Sequence, residues 1–373
     1  MQKEHYIGMD LHSNNTYIGI LDQDDKRVFA KRAKNKIGEI LEYLQPFQNS
    51  VFGIVVESTF NWYWLVDSLM DAGYKLHLAH PPAITQYKGL KHQDDKHSAF
   101  FLAKLLKLNI LPEGYIFPKE DRHIRDLLRK RSDMVHSSTK FLLSFKSLLN
   151  RNLSISMSSN DIKKLTEVKL EQMFENKHLL FSAKSNVFAM RYFIKNSKEI
   201  EKEVLKAAEL KPEFQILTTT PGIGIILGLT IALETGNINR FDKVGNYASY
   251  CRAVSSERSS NNKRKGSNNR KNGNKYLAWA FLEAAHKCRR FCPQAEAFYK
   301  RKTAKTNKIV AIKALAHKLA RACFYMMKDN IEFDVGKIFG TPVKTLSKGC
   351  DSKPVLALDS KPKYSIGNTV VQP

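Results

Sequence analysis

Two short apolar runs that each end in a carboxylate constrain this chain most: Tyr6-Ile7-Gly8-Met9-Asp10 and Val51-Phe52-Gly53-Ile54-Val55-Val56-Glu57. Their length and β-forming composition read as buried strands. A strand that delivers a lone carboxylate at its buried end needs a partner for that charge, because an unpaired ion is costly to remove from water. A divalent metal ion is one such partner, and a third acidic cluster, Gln93-Asp94-Asp95, follows downstream. One helical turn beyond Asp95 a fourth carboxylate would complete a set, but the chain has Ser98 there. The plainer alternative is that Glu57 caps or salt-bridges and Asp10 sits in a turn.

Residues 1–118 read as α/β. Strands are expected over Tyr6–Asp10, Tyr17–Asp22 and Arg27–Lys31, with the turn-rich His12-Ser13-Asn14-Asn15 between the first two. Then come a helix over Ile37–Phe47, the strand Val51–Glu57, a helix over Asn61–Ala72 stopped by Gly73, a strand over Tyr74–Ala79 and a helix over Ala99–Leu108. Three antiparallel strands followed by helix, strand, helix, strand and helix is the order of a ribonuclease-H-like sheet. From 119 to 211 the chain has no glycine, and apolar residues recur at helical spacing (Leu127, Leu128, Met134, Phe141, Leu142, Phe145, Leu148, Leu149). Long helices paired as a coiled coil are the expected form. The basic group Arg122, Arg125, Arg129, Lys130 and Arg131 at its start reads equally as a solvated face or as a binding surface. Residues 212–335 are expected to be mainly helical, and 336–373 a flexible tail.

The net charge of +25 and pI near 9.7 call for a polyanionic partner. Nucleic acid fits better than a membrane surface, since no basic amphipathic helix stands alone at a terminus. No apolar run approaches the roughly 20 residues that span a bilayer. The start of the chain lacks the basic and apolar regions of a signal peptide, so a cytoplasmic, nucleoid-associated protein is expected. The five cysteines, an odd number without a completed metal-ligand pattern, read as core thiols.

Two further motifs carry chemistry. In Thr218-Thr219-Thr220-Pro221-Gly222-Ile223-Gly224-Ile225, a turn between apolar helices could offer backbone amides to a phosphate, with Ile223 anchored in the core. From Arg258 to Lys275 there are seven Lys/Arg and no acid. A serine in that basic loop could bind phosphate or attack phosphorus.

In this order these motifs resemble the DEDD transposases of the "one-ten" insertion-sequence family, relatives of the Piv DNA invertase that act as bridge-RNA-guided recombinases. The resemblance rests on Ile7-Gly8-Met9-Asp10-Leu11-His12, Val55-Val56-Glu57-Ser58-Thr59 and Lys91-His92-Gln93-Asp94-Asp95-Lys96-His97-Ser98-Ala99. It continues through Pro221-Gly222-Ile223-Gly224, Arg240-Phe241, Tyr247-Ala248-Ser249-Tyr250 and Lys271-Asn272-Gly273-Asn274-Lys275-Tyr276-Leu277, to about residue 335. It implies an RuvC-like catalytic domain over 1–118, a coiled-coil dimerisation segment over 119–211, and a C-terminal transposase domain over 212–335 with a helix-hairpin-helix-like Pro-Gly-Ile-Gly motif.

It also implies that Asp10, Glu57 and Asp95 hold Mg²⁺, with Ser98 where the last acid of the tetrad belongs. Ser260 maps to the serine that attacks DNA, with neighbouring Ser259 as the alternative, because Asn262 stands where a glycine is usual. Gly222, Ile223, Gly224, Arg258, Lys263, Arg264, Lys265, Arg270, Lys271 and Lys275 would bind nucleic acid. The implied partners are donor and target DNA, a structured guide RNA, and a second copy of the chain in a dimer that assembles further into a tetramer. With a neutral Ser98, weakened metal binding and reduced activity are expected. The competing functions are a catalytically dead, nucleic-acid-binding remnant and an RuvC-like junction nuclease that uses water.

Overall fold

In a computed structural model of the protein, residues 4–84, 94–208, 212–266 and 272–340 are described. The N-terminal part is built on a mixed sheet. Its strands are β1 (His5–Leu11), β2 (Asn15–Asp22), β3 (Arg27–Lys34), β4 (Val51–Glu57), β5 (Leu76–Ala79) and β6 (Glu113–Gly114), with helices α1 (Ile37–Leu44), α2 (Trp62–Asp71) and α3 (Asp95–Lys107) between them. The strand order is β3-β2-β1-β4-β5-β6. β1 runs antiparallel to β2 and parallel to β4, so the C-terminal ends of β1 and β4 lie side by side.

Alternation along β1 divides the two faces of the sheet. Ile7, Met9 and Leu11 pack with Ile18, Ile20, Ile54 and Val56 against Ile40 and Leu44 of α1 and Leu65 and Leu69 of α2. Gly8 and Asp10 face the other way, towards α3. That helix can lie directly on the sheet because Gly8 pairs with Gly19 of β2. A Cβ on Gly8 would stand 1.9 Å from the Ala99 carbonyl oxygen, and one on Gly19 would stand 3.1 Å from the Phe100 ring. Beyond this close crossing, Leu102, Leu105 and Leu106 bury against Val55 and Ala79.

Most element boundaries shift by a residue or two from the sequence expectation, β5 starting at Leu76 rather than Tyr74; three shifts are larger or have a clear local setting. α1 gives way at Gln45 to a 3-10 turn over Gln45–Ser50, where Pro46 has no amide to continue the helix. β3 extends to Lys34, paired along β2. α3 begins at Asp95 rather than Ala99, because the Asp94 side chain caps it by accepting from the His97 amide at 2.6 Å.

The rest of the described chain is mostly helical. α4 (Lys119–Leu153) and α7 (Lys177–Ala208) are the long helices expected between 119 and 211, and they pack along each other. Phe145, Leu148 and Leu149 of α4 meet Ala183, Val187 and Met190 of α7, closed by α5 (Ser159–Lys164) and α6 (Glu167–Met173). Then follow α8 (Pro212–Thr218), α9 (Ile225–Thr235), α10 (Val244–Tyr250), a hairpin of β7 (Arg258–Ser260) and β8 (Lys263–Gly266), α11 (Lys275–Phe291), α12 (Pro293–Lys305) and α13 (Lys308–Asp329). Residues 334–340 belong to a separate unit and hold the short α14 (Val335–Phe339), capped by Asp334.

The start of α4 ties the sheet to the helices. Arg122 and Arg125 are buried rather than on a solvated face. Arg122 donates to Asp67 of α2 at 2.7 Å and to the Phe117 carbonyl. Arg125 and Arg129 both donate to Glu234 of α9, which also accepts from Asn274 at 2.7 Å. Burial works against the Glu234 carboxylate, but the Arg129 hydrogen bond and the charges of both arginines outweigh it and hold its pKa below the ordinary value.

Gly8→Ala is expected to lower stability by about 3 kcal/mol or more, since the backbone of α3 must move. Gly38→Ala, in α1 where a Cβ meets nothing within 4 Å, should be neutral or stabilising by about 0.5 kcal/mol. Thermal melts of both variants check this; equal melting temperatures would refute the close-crossing argument.

Candidate functional site

The carboxylates singled out in the sequence meet where three elements converge. Asp10 lies near the end of β1 and Glu57 closes β4 beside it, and their side chains hydrogen-bond to each other. Asp95 approaches Asp10 from the first turn of α3, where the helix dipole favours an acid; Glu57 is outside the close group of ligand atoms that Asp10, His12 and Asp95 form. Burial pushes the Asp10 carboxyl up; His12 pulls against that and Asp95 adds to it. Burial and the neighbouring charge of Asp10 push Glu57 from 4.5 to about 7. Two carboxyls in such contact hold one proton between them near neutrality.

The structure adds two residues to which the sequence reading assigned no role: His12, placed in a turn, and Arg32, just beyond the expected third strand. His12 is two residues beyond Asp10, on the same side of the chain. Its Nε2 stands 3.1 Å from Asp95 Oδ1 and 3.5 Å from Asp10 Oδ2, hydrogen-bonded to neither. The His12 carbonyl accepts from the amides of both Asn35 and Asn61, at 3.0 and 2.9 Å, which fixes the turn that carries the imidazole. Arg32 of β3 donates to Asp95 Oδ2 at 2.7 Å, leaving Oδ1 towards His12. The signal in the sequence was the i, i+2 spacing of Asp10 and His12 at a strand end.

Asp10, His12 and Asp95 offer ligand atoms within 4.8 Å of one another, a spacing that could hold a metal ion. Carboxylate oxygens suit a hard divalent cation, and a cation beside Asp10 and Glu57 would offset the burial that raises both. Ser98 lies one turn along α3 from Asp95 and is buried, so the position is part of this corner of the fold. Its hydroxyl brings no charge. Asp94 is engaged in capping α3.

The candidate nucleophiles lie on a different element. Ser259 and Ser260 are exposed on β7, opposite Arg264 and Lys263 of β8. Asn261 and Asn262 both take positive φ, 52° and 56°. That is the conformation of a type I′ hairpin turn, which asparagine tolerates best after glycine. The Asn262 departure therefore leaves the turn intact. Adjacent strand residues point to opposite faces, so only one of the two serines can address a given phosphate. Arg258, Lys263 and Lys265 are exposed on the same hairpin. Arg270 and Lys271 lie outside the described residues, as does the Arg264 side chain.

The Pro221–Gly224 turn joins α8 to α9. Gly222 has φ +92°, and a Cβ there would stand 2.4 Å from the Cys288 amide. Ile223 is buried at 3% exposure, as expected for an anchor, while Gly224 faces open space at the start of α9. Lys287 and Arg290 of α11 border this turn across a shallow cleft of about 540 Å³, a pairing with no local signal in the chain. The cysteines described, Cys251, Cys288, Cys292 and Cys323, are free and buried. Among the described residues no helix is long and apolar enough to cross a membrane.

The chain thus combines a carboxylate corner on a mixed sheet with a mainly helical second half rich in lysine and arginine. Residues 7–153 match the family described as "Transposase", the DEDD transposases of IS110 type, and residues 214–300 match the "Transposase IS116/IS110/IS902 family". The two matches together span more than half of the chain, which belongs to the IS110 family of transposases. It is similar to the "Insertion element IS110 uncharacterized 43.6 kDa protein" of Streptomyces coelicolor, at 24% identity over 136 residues. That match spans 36% of this chain and 34% of the relative.

The Glu57 shift fixes a pH dependence. Because folding raises this acid's pKa, its contribution is whole below about 4.5 and is lost as pH rises towards about 7. In buffer without divalent cations, the melting temperature of Glu57→Gln relative to the unmodified protein should therefore rise across that window. A constant difference would contradict the shared-proton arrangement.

Proposed function

We propose that this chain recombines DNA as a transposase, through a serine–DNA covalent intermediate, with its N-terminal part an RuvC-like domain. The observation that carries the reading is that Asp10 gathers His12 and Asp95 on one side and hydrogen-bonds Glu57 on the other, in a chain matched in both halves by IS110-type transposases. The strand order β3-β2-β1-β4-β5 supports the RuvC-like assignment.

Asp10, Glu57 and Asp95 would hold Mg²⁺, with His12 Nε2 a nitrogen donor at its edge. When bound, the ion supplies Lewis-acid polarisation of phosphoryl oxygens. Arg32 keeps Asp95 turned into the site. Ser260 Oγ, with Ser259 as the alternative, loses its proton and bonds to phosphorus while the sugar hydroxyl of the cut strand leaves with a proton. Attack by the hydroxyl of another strand then frees the serine and completes the exchange. Arg258, Lys263, Arg264, Lys265, Arg270, Lys271 and Lys275 would neutralise the phosphates around that step. The Gly222-Ile223-Gly224 turn, with Lys287 and Arg290, would hold a duplex backbone independently of sequence.

A structured RNA would choose donor and target by base pairing, consistent with a protein that offers charge and shape. A second copy would pack on α7, where Phe181, Phe188 and Tyr192 are 73%, 74% and 55% exposed along one helical stripe. Phe188→Glu should then shift the protein towards monomer in sedimentation velocity; an unchanged distribution would exclude this surface.

Incubation with DNA, guide RNA and Mg²⁺ should yield a covalent protein–DNA adduct that Ser260→Ala or Ser259→Ala abolishes. Adduct formation that survives both substitutions overturns the serine mechanism, and cleavage without an adduct favours a nuclease that uses water. The neutral Ser98 favours a second reading, a nucleic-acid-binding protein with weak or lost chemistry. Ser98→Asp should tighten divalent-metal binding and raise adduct yield at least tenfold. If the unmodified chain forms adduct at the same rate, the weakened-site reading is wrong.

A further inference from the structure

A second cleft, of about 560 Å³, opens beside the carboxylate corner. Its floor includes Ser58, the residue after Glu57, and His80, which follows the end of β5; its far wall comes from the helical half through Tyr250, Arg252, Lys275 and Tyr276. None of these residues belongs to the metal corner itself, and only Lys275 was expected to touch nucleic acid.

Charge and rings are interleaved here. Arg125, Arg129, Arg240, Arg252 and Lys275 line the cleft, against Glu113 on its wall. Arg125 and Arg129 share the single carboxylate of Glu234 beneath, which leaves a net positive charge. The rings that line the cleft already carry a guanidinium on one face: Arg240 stands 4.4 Å from the ring centroids of both Tyr115 and Tyr250, and Arg129 stands 4.5 Å from that of Tyr276. A flat, electron-rich heterocycle placed against such a ring continues a cation–ring–base stack; Lys275, whose ammonium stands 5.0 Å from the Tyr276 ring, and Arg252, whose Nε is held by the Asn272 and Gly273 carbonyls, supply positive charge for an attached phosphate. The volume lies in the range of single small-ligand sites, so the cleft suits one nucleotide out of its helix and excludes a base pair within a duplex. Ligand sites at the carboxyl ends of sheet strands are also where such a fold leaves room.

We propose that this cleft holds one unpaired nucleotide of a polynucleotide strand, its base stacked among Tyr250, Tyr276 and Tyr115, next to the phosphodiester presented to Asp10 and Glu57. The proposal rests on the reading of the chain as a nucleic-acid recombinase and adds where an opened strand is gripped. The strand is DNA or RNA, since both present the same base and phosphate chemistry.

The test uses the full chain and 12-nucleotide strands carrying a single 5-iodouracil, one deoxy and one ribo, with a fully paired DNA duplex of equal length as the comparison. The strands are irradiated without divalent metal, and cross-linked peptides are read by mass spectrometry. Cross-links at Tyr115, Tyr250 or Tyr276 are expected from single strands and not from the duplex; the deoxy arm assigns the DNA, the ribo arm the RNA. Tyr250→Leu and Tyr276→Leu, which keep apolar volume, should each weaken single-strand affinity by fluorescence anisotropy about fivefold or more, with unchanged melting temperature. Ser260→Ala should cross-link like the unmodified chain, so the result does not depend on catalysis. Cross-links confined to the 258–266 hairpin or the Gly222 turn would overturn the cleft assignment while leaving nucleic-acid binding intact. Loss of neither affinity nor cross-link in both tyrosine variants would also overturn it. If no strand or duplex binds at all, this proposal and the recombinase reading fail together.

Discussion

The seat of α3 on the sheet is the constraint from which the carboxylate corner follows. Gly8 and Gly19 face each other across β1 and β2; the missing Gly8 side chain lets the Ala99 carbonyl approach to a distance no Cβ would allow, and Gly19 leaves close room for Phe100. That depth brings the first turn of α3 level with the end of β1. Asp95 therefore meets Asp10 and His12, while Leu102, Ala103 and Leu106 provide the apolar burial that holds the helix down. The cost appears in the acids: burial raises both Asp10 and Glu57, which relieve it by a carboxyl–carboxyl hydrogen bond. A site in which acids are crowded at such cost is poised for a cation.

A second constraint joins this corner to the helices. Glu234, at 2% exposure, accepts from Arg125, Arg129 and Asn274. Asn274 also caps α11 through the Tyr276 and Leu277 amides. The start of α4, the end of α9 and the start of α11 are thus held by one buried carboxylate, and removing it would strand two guanidinium groups. The aromatic and cationic cleft lies over this junction, bounded on one side by Ser58 and His80, which follow the ends of β4 and β5. Rigidity beneath and polar access above are the conditions under which a bound strand could be aligned with the corner.

Much of this was legible in the chain. The short apolar, β-forming runs Tyr6–Asp10 and Val51–Glu57 specify strands, because a run of that length and composition fits a buried strand better than a helix. The glycine-free stretch after Pro118 specifies long helices. Ile223 as an anchor and Gly222 as a turn glycine also follow from local chemistry. What could not be read was anything set by long-range register. His12 looked like part of a polar turn until α3 placed Asp95 beside it, and Arg32 came into reach through strand pairing. Arg122 and Arg125 looked like a charge run, but their partners, Asp67 and Glu234, are distant in sequence. The start of α3 was misjudged because Asp94 caps the helix where the chain reads as a continuing loop.

The central claim is that Asp10, Glu57 and Asp95 hold a divalent ion without an acid at position 98. Calorimetric titration of Mg²⁺, and of Mn²⁺ as a probe, into the unmodified protein at pH 7, repeated in buffers of different ionisation enthalpy, tests it directly. The account predicts saturable binding that expels the proton held between Asp10 and Glu57, with both binding and proton release lost in Asp10→Asn. No saturable binding, or binding that Asp10→Asn leaves unchanged, would contradict it.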